Sequence, residues 1–355
     1  MWRIPAILLV LFIGSSLVNC KPIVPCYFIF GDSLSDAGNN NDLITKAKVN
    51  YKPYGVDFPG RIPTGRFTNG RTMPDFISQF LGFDNFISPY SPQMGKDMLR
   101  GVNFASGAAG ILEETGSQLG DRIWMDRQLK NYEAALSQLK LMVEGSVSDY
   151  LGKCLYTVNI GSNDYINNYF MPQNFNSSKL YNADQYADLL ITRYKTQLQK
   201  IYDSGARKIA VYGLGKIGCT PGEMARFESR GCVKEINEAV DLFNKKLVSL
   251  VDYFNDNIRG GQFTFINLAA MQTLNPIPPG FILDASCCTL RDDYQCEPQS
   301  RPCFIRALYQ YMDGFHPTEV VNKVAAKVSY YTPLPLSLVH PVSIRQLVSS
   351  NHAQM

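Results

Sequence analysis

The chain carries only three histidines, His316, His340 and His352, so chemistry that needs a neutral base near pH 7 has few places to occur. His316 lies in "YMDGFHPTE", three residues after Asp313, a spacing at which one turn of chain brings a carboxylate to an imidazole. The other two histidines fall in a C-terminal tail. An imidazole oriented by a carboxylate becomes useful when a hydroxyl nucleophile lies within its reach. Ser33 offers one: in "CYFIFGDSLSDAGNNND" a run of strand-forming residues stops at Gly31-Asp32-Ser33. Serine after a strand also serves as a turn residue or helix cap, and an aspartate near a histidine is common on surfaces. On these residues alone both readings stay open.

The elements that must position such groups follow from hydrophobic period. Tyr27 to Phe30, Val102 to Ala105, Leu155 to Ile160, Lys208 to Tyr212 and Phe263 to Leu268 read as strands. Between them, Trp124 to Val143, Ala183 to Asp203 and Lys234 to Ile258 carry apolar residues at helical spacing. Alternation of this kind predicts βαβ units, a mostly parallel sheet and the α/β class. Ligands of open parallel sheets bind beyond the carboxyl ends of the strands. Three predicted strands run into small polar clusters, Gly31-Asp32-Ser33, Ser106-Gly107 and Gly161-Ser162-Asn163-Asp164, which would then share one sheet edge.

Composition excludes several classes. The 355 residues are 45% hydrophobic and 18% charged, too apolar for disorder and long enough for a large core. Basic and acidic residues, 34 and 31, are interspersed without a polybasic run, which argues against a nucleic-acid partner. No repeat or linker-like shift divides the chain, so residues 21–355 read as a single domain. Gly- and Pro-rich stretches at 51–74 and 274–279 read as long loops.

Residues 1–20 read as a secretory signal peptide: Arg3 is positive, Ala6 to Ile13 form a short apolar run, and Val18 and Cys20 suit a cleavage site before Lys21. The run is well below the ~20 residues needed to span a bilayer, and no later segment reads as an integral membrane span. Loss of Cys20 leaves eight cysteines, an even set that fits an oxidising, extracellular compartment. Adjacent Cys287 and Cys288 are expected to take separate partners, with Cys296 and Cys303 nearest, while Cys219 and Cys232 would close a short loop. Spacing that is not a paired CxxC argues against zinc. Asn176-Ser177-Ser178 forms a glycosylation sequon at Asn176.

The blocks "FIFGDSLSDAGNNND", "GVNFASGAAGI", "VNIGSNDYINNYF" and "DGFHPTE" resemble those of the plant GDSL-type esterase/lipase family, within the SGNH hydrolase superfamily. The four span residues 28–319 in the family's order, and "PTGRFTNGRTMPDFI", "TGSQLGDRI" and "GLGKIGCTPGE" are similar too. The resemblance implies a three-layer α/β/α sandwich, flavodoxin-like, with about five parallel strands. It implies a serine hydrolase acting on carboxylic esters, lipid or small-molecule, without metal or organic cofactor. Residue by residue, it makes Ser33 the nucleophile, His316 the base and later acid, and Asp313 the orienter of His316. It places the oxyanion hole at the Ser33 N–H, a glycine N–H taken as Gly107, and the Asn163 side-chain amide. Ala108 stands where many relatives have glycine, which leaves a shift of the donor by one residue open; Met312 stands where relatives often have tryptophan.

The same triad would serve an acyltransferase, and a secreted binding protein could keep the fold without activity. Intact Ser33, Asn163 and His316 favour the enzyme. Two other features read as structural: "GLGKIG", Gly213 to Gly218, lacks the helix and acidic strand end of a dinucleotide site, and Arg66 and Arg71 are expected to tie down loops.

Overall fold

The computed structural model describes residues 21–273, 280–332 and 338–350; the expected signal peptide and the 274–279 loop lie outside the described residues. Strands β1 (Tyr27–Gly31), β2 (Leu155–Asn159), β3 (Lys208–Tyr212) and β4 (Gln262–Ile266) pair in parallel, each with the next. A separate two-stranded sheet joins β5 (Ile282–Ser286) to β6 (Tyr309–Tyr311), and β7 (Val339–His340) adds antiparallel to β4. The main sheet therefore has five mostly parallel strands.

The predicted strand at 102–105 follows β1 through three hydrogen bonds: Ile29 N–H to Val102 O, Phe104 N–H to Ile29 O, and Ser106 N–H to Gly31 O. It forms a bridge at Ile29 and Asn103 rather than a regular strand. The Asn103 side chain supplies the reason, accepting from Ala105 N–H and donating to Ser35 O, so that it competes with a regular ladder. Counting this segment, the chain runs from β1 to one edge and returns past β1 to β2. The strand order reverses there, which is where doubly wound sheets bind ligands.

Alternation along the strands divides the core into two layers. Phe28, Phe30, Tyr156, Val158, Ile209, Val211, Phe263 and Phe265 face helices α2 (Met125–Met142), α3 (Ala183–Asp203) and α4 (Lys234–Asn257). Tyr27, Ile29, Leu155, Ala210, Tyr212 and Ile266 face α1 (Met73–Phe80), α5 (Glu319–Tyr331) and α6 (Ile344–Ser349). Strands buried on both faces explain why their sequences are near-continuous apolar runs. The helices follow their period: α3 buries Tyr186, Leu190, Tyr194, Leu198 and Ile201 on one stripe. It starts at a reciprocal cap, Asn182 accepting from Gln185 N–H while the Gln185 side chain accepts from Asn182 N–H.

Among the described residues four disulfides join Cys26–Cys154, Cys219–Cys232, Cys287–Cys303 and Cys288–Cys296. Cys287 and Cys288 thus take separate partners. The last two bridges, with Val49, Tyr54, Phe67 and Met312, form a small satellite core. Met312 is fully buried there and does not line the cleft described next.

Candidate active site

Ser33 leaves β1 through a turn that only glycine permits. A Cβ at Gly31 would lie 2.5 Å from the Asn159 carbonyl oxygen. Buried Gln128 of α2 clamps this strand end, accepting from Gly31 N–H at 3.0 Å and donating to Gly31 O at 2.7 Å. Beyond it Asp32 N–H donates to Asn159 O, and Leu34 N–H donates to Asp32 Oδ1. Burial pushes the Asp32 carboxyl up to about 7.

The Ser33 hydroxyl donates to His316 Nε2 at 2.8 Å. His316 Nδ1 lies 2.9 and 2.8 Å from the two Asp313 oxygens, so Nδ1 carries the proton and Nε2 is free to accept one. Asp313 is fully buried. Burial opposes its charge, but the neighbouring His316, the Tyr54 hydroxyl at 2.6 Å and the Phe315 and His316 N–H groups outweigh it and hold the carboxyl below its usual range. Tyr54, itself accepting from Cys296 N–H, is raised well above an ordinary phenol by burial and then by Asp313, so it stays a donor. Phe67 packs on the imidazole, ring centroids 4.8 Å apart.

Asn163 sits beyond β2, after Gly161 at φ +123°, on a short helical turn that continues as a π-turn over Tyr165–Tyr169. Its Oδ1 accepts from Asn167 Nδ2 at 2.7 Å and its Nδ2 donates to Ala109 O at 3.0 Å. One amide hydrogen remains for the cleft. Neighbouring Asp164 ties this turn to the second block by accepting from Ile111 N–H, Leu112 N–H and the Thr115 hydroxyl.

Gly107 does not fill its expected place. Its N–H donates to Asp36 Oδ2 at 2.9 Å, and a Cβ there would meet Phe67 and Asn40 at 2.6 and 2.8 Å. It is glycine for space. Ala108, at φ +62°, lines the cleft instead, and its N–H has no partner among the described residues. Asp36 thus occupies the Gly107 N–H and leaves that of Ala108 without a partner among the described residues.

Ser33, Asn163 and His316 thus share a cleft of about 300 Å³ with Ala108, Asn167 and Arg226. The other predicted features lie elsewhere. Arg66 makes a buried two-point ion pair with Asp75, and Arg71 pairs with Glu319. The 213–218 loop is pinned by Asn244 and Asn237, which accept from Leu214 and Gly218 N–H. Asn176 is exposed. Sequence reasoning missed Tyr54, Gln128, Asp36 and Asp164, none of which has a local pattern separating it from an ordinary polar residue. Asp36 and Asp164 do lie inside recognised blocks.

A doubly wound sheet with serine, histidine and aspartate in hydrogen-bonded sequence at the switch point defines a class, the α/β proteins with a serine-hydrolase constellation. Within that class, residues 27–328 match the family described as GDSL-like lipase/acylhydrolase. One GDSL esterase/lipase of Arabidopsis thaliana is 48% identical over 337 residues, covering 92% of this chain and 93% of the relative. A second from the same plant is 47% identical over 341 residues, covering 93% of each. The chain belongs to the GDSL-like lipase/acylhydrolase family. Among solved structures, phospholipase A1 from Streptomyces albidoflavus is similar at 16% identity and TM-score 0.35, covering 86% of this chain and 97% of that one, a likeness too distant to bear on fold or chemistry.

Proposed function

We propose that this protein is a secreted esterase that cleaves carboxylic esters through an acyl-enzyme on Ser33. Family membership supports ester hydrolysis, and the observation that carries the mechanism is the 2.8 Å contact from Ser33 to His316 with Asp313 behind it. As Ser33 Oγ attacks the carbonyl carbon, His316 Nε2 takes its proton and Asp313 stabilises the imidazolium. Charge on the former carbonyl oxygen is met by the N–H groups of Ser33 and Ala108 and the free amide hydrogen of Asn163. His316 returns the proton to the departing alkoxide, and a water repeats the sequence to release the acid. Four disulfides among the described residues and an exposed sequon at Asn176 support secretion and glycosylation. No helix among the described residues is long and apolar enough to cross a membrane.

Hydrolysis of nitrophenyl esters by the mature protein tests this. Ser33→Ala should lower kcat by about 10⁴-fold or more without lowering Tm; near-normal turnover in that variant overturns the assignment.

A further inference from the structure

The short helix Pro221–Arg226 touches both halves of the site. Its first turn packs on the loop of Asp313 and His316: Gly222 N–H donates to Gly314 O at 2.7 Å, and a Cβ at Gly222 would lie 2.5 Å from the Phe315 ring. Its last residue reaches the other half. Arg226 Nη1 donates to Ile166 O at 2.8 Å, inside the π-turn that follows Asn163. Neither backbone donor expected to close on that carbonyl does so, because Phe170 N–H goes to Tyr165 O and Met171 N–H to Asn168 O. Buried Glu223, with Oε1 2.9 Å from the same Nη1, holds the guanidinium from behind. The Ile166 carbonyl shares its peptide plane with Asn167, whose side chain donates to Asn163 Oδ1 at 2.7 Å and accepts from Gln118 Nε2 at 3.0 Å. A chain of contacts therefore runs from Arg226 through one peptide plane to the Asn163 amide.

We propose that Arg226 is a positioning residue: by holding the Ile166 carbonyl it fixes, through Asn167, the direction of the free Asn163 amide hydrogen. The proposal rests on the ester-hydrolase reading above, in which that hydrogen meets charge on the carbonyl oxygen. Such a donor is effective when it is aimed before the charge develops, and a misplacement on the order of 1 Å can cost about 100-fold in rate. Asn163 has little regular structure of its own to supply that aim, since the helical turn that carries it spans only Ser162–Asp164. Without the guanidinium the carbonyl of Ile166, a residue 6% exposed, would lose its partner, and the turn would relax toward another. Arg226 also lines the cleft, so a direct grip on substrate is the competing reading. The two differ in kinetics. Loss of a grip felt equally in ground and transition states raises KM, whereas loss of aim in an oxyanion donor lowers kcat.

The test is a double-mutant cycle on nitrophenyl butyrate with the mature protein, pairing Arg226→Met with Asn163→Ala. Methionine keeps much of the apolar stem and removes the donor. Arg226→Met is expected to lower kcat about 10-fold with KM within about twofold, and to leave the pH–rate profile in place. Once Asn163 is alanine, the same change should cost less than about twofold more. Arg226→Lys, which can still donate to Ile166 O from a single point, should recover part of the loss. Asn167→Ala breaks the same chain without touching the guanidinium; it should lose kcat to a similar extent and be equally silent beside Asn163→Ala, and it carries the test if Arg226→Met does not fold. Losses that multiply in the double variants overturn the proposal, as does a rise in KM with kcat kept. A displaced pH–rate profile would also overturn it, by placing Arg226 behind His316 through Phe315. All three outcomes leave Ser33-dependent turnover standing, whereas near-normal turnover in Ser33→Ala overturns the ester-hydrolase reading itself.

Discussion

The two sides of the catalytic cleft are built by different means. Ser33, Ala108 and Asn163 project from the ends of β1, the segment beside it and β2, so sheet register sets their separation. Asp36 and Asp164 lock the loops together with carboxylate-to-backbone hydrogen bonds. Asp313 and His316 follow the three-residue β6 and a satellite core of two disulfides, Tyr54 and Phe67. The Ser33 side takes its rigidity from the main core, while the His316 side borrows it from covalent bridges and one phenol. A defect on the first side should therefore cost transition-state stabilisation. A defect on the second should appear in the protonation and placement of the imidazole.

The largest separation of the two should come from Asp313→Asn, which keeps the shape but no longer favours the Nδ1-protonated tautomer. The expected loss is about 10³- to 10⁴-fold in kcat, read from initial rates across pH, with rate recovering partly at high pH. Asn163→Ala, on the sheet side, should cost about 100- to 1,000-fold in kcat with KM nearly unchanged, because a single oxyanion donor is lost; a rise in KM alone would place Asn163 in substrate binding instead. Tyr54→Phe should be milder, on the order of 10-fold in kcat. It removes one of the groups that hold Asp313 ionised, so the acid limb of the pH–rate profile should move upward; an unmoved profile would make Tyr54 a packing residue only.

Much of this was legible in sequence because the relevant groups are local to strand ends. Gly31-Asp32-Ser33 and Gly161-Ser162-Asn163 each follow an apolar run directly, and Asp313 precedes His316 by a single turn. Tyr54 was not legible. It reaches Asp313 across 259 residues, and nothing in "NYKPYG" distinguishes it from the core tyrosines. Glycine at 107 suggests an accessible backbone, whereas Phe67 and Asn40 leave no room for a side chain and Asp36 holds the N–H. The irregular segment at 102–105 has a strand's composition, and only the partners of the Asn103 side chain reveal why it is not a regular strand.

The smallest expected effect concerns stability. Burial pushes Asp32 and Glu223 up to about 7, and Asp36 and Asp164 up to about 6. A carboxyl raised in the folded state keeps its proton longer there than in the unfolded chain. Its contribution is therefore fully present below about pH 4 and is lost as pH rises through 6 to 7. Glu223→Gln, which leaves Arg226 bonded to Ile166 O at 2.8 Å, should flatten the fall of Tm across that window by on the order of 2 °C. A steeper fall in the variant would show that Glu223 is stabilising as an anion paired with Arg226.

The central claim is that Ser33, activated by His316, carries the acyl group. Its most direct test is mass spectrometry of the intact protein quenched in acid during turnover of a nitrophenyl ester, followed by peptide mapping. One added acyl group is expected on the peptide containing Ser33, absent in His316→Ala at the same quench time. An acyl group on any other residue, or equal labelling of Ser33 without His316, would contradict it.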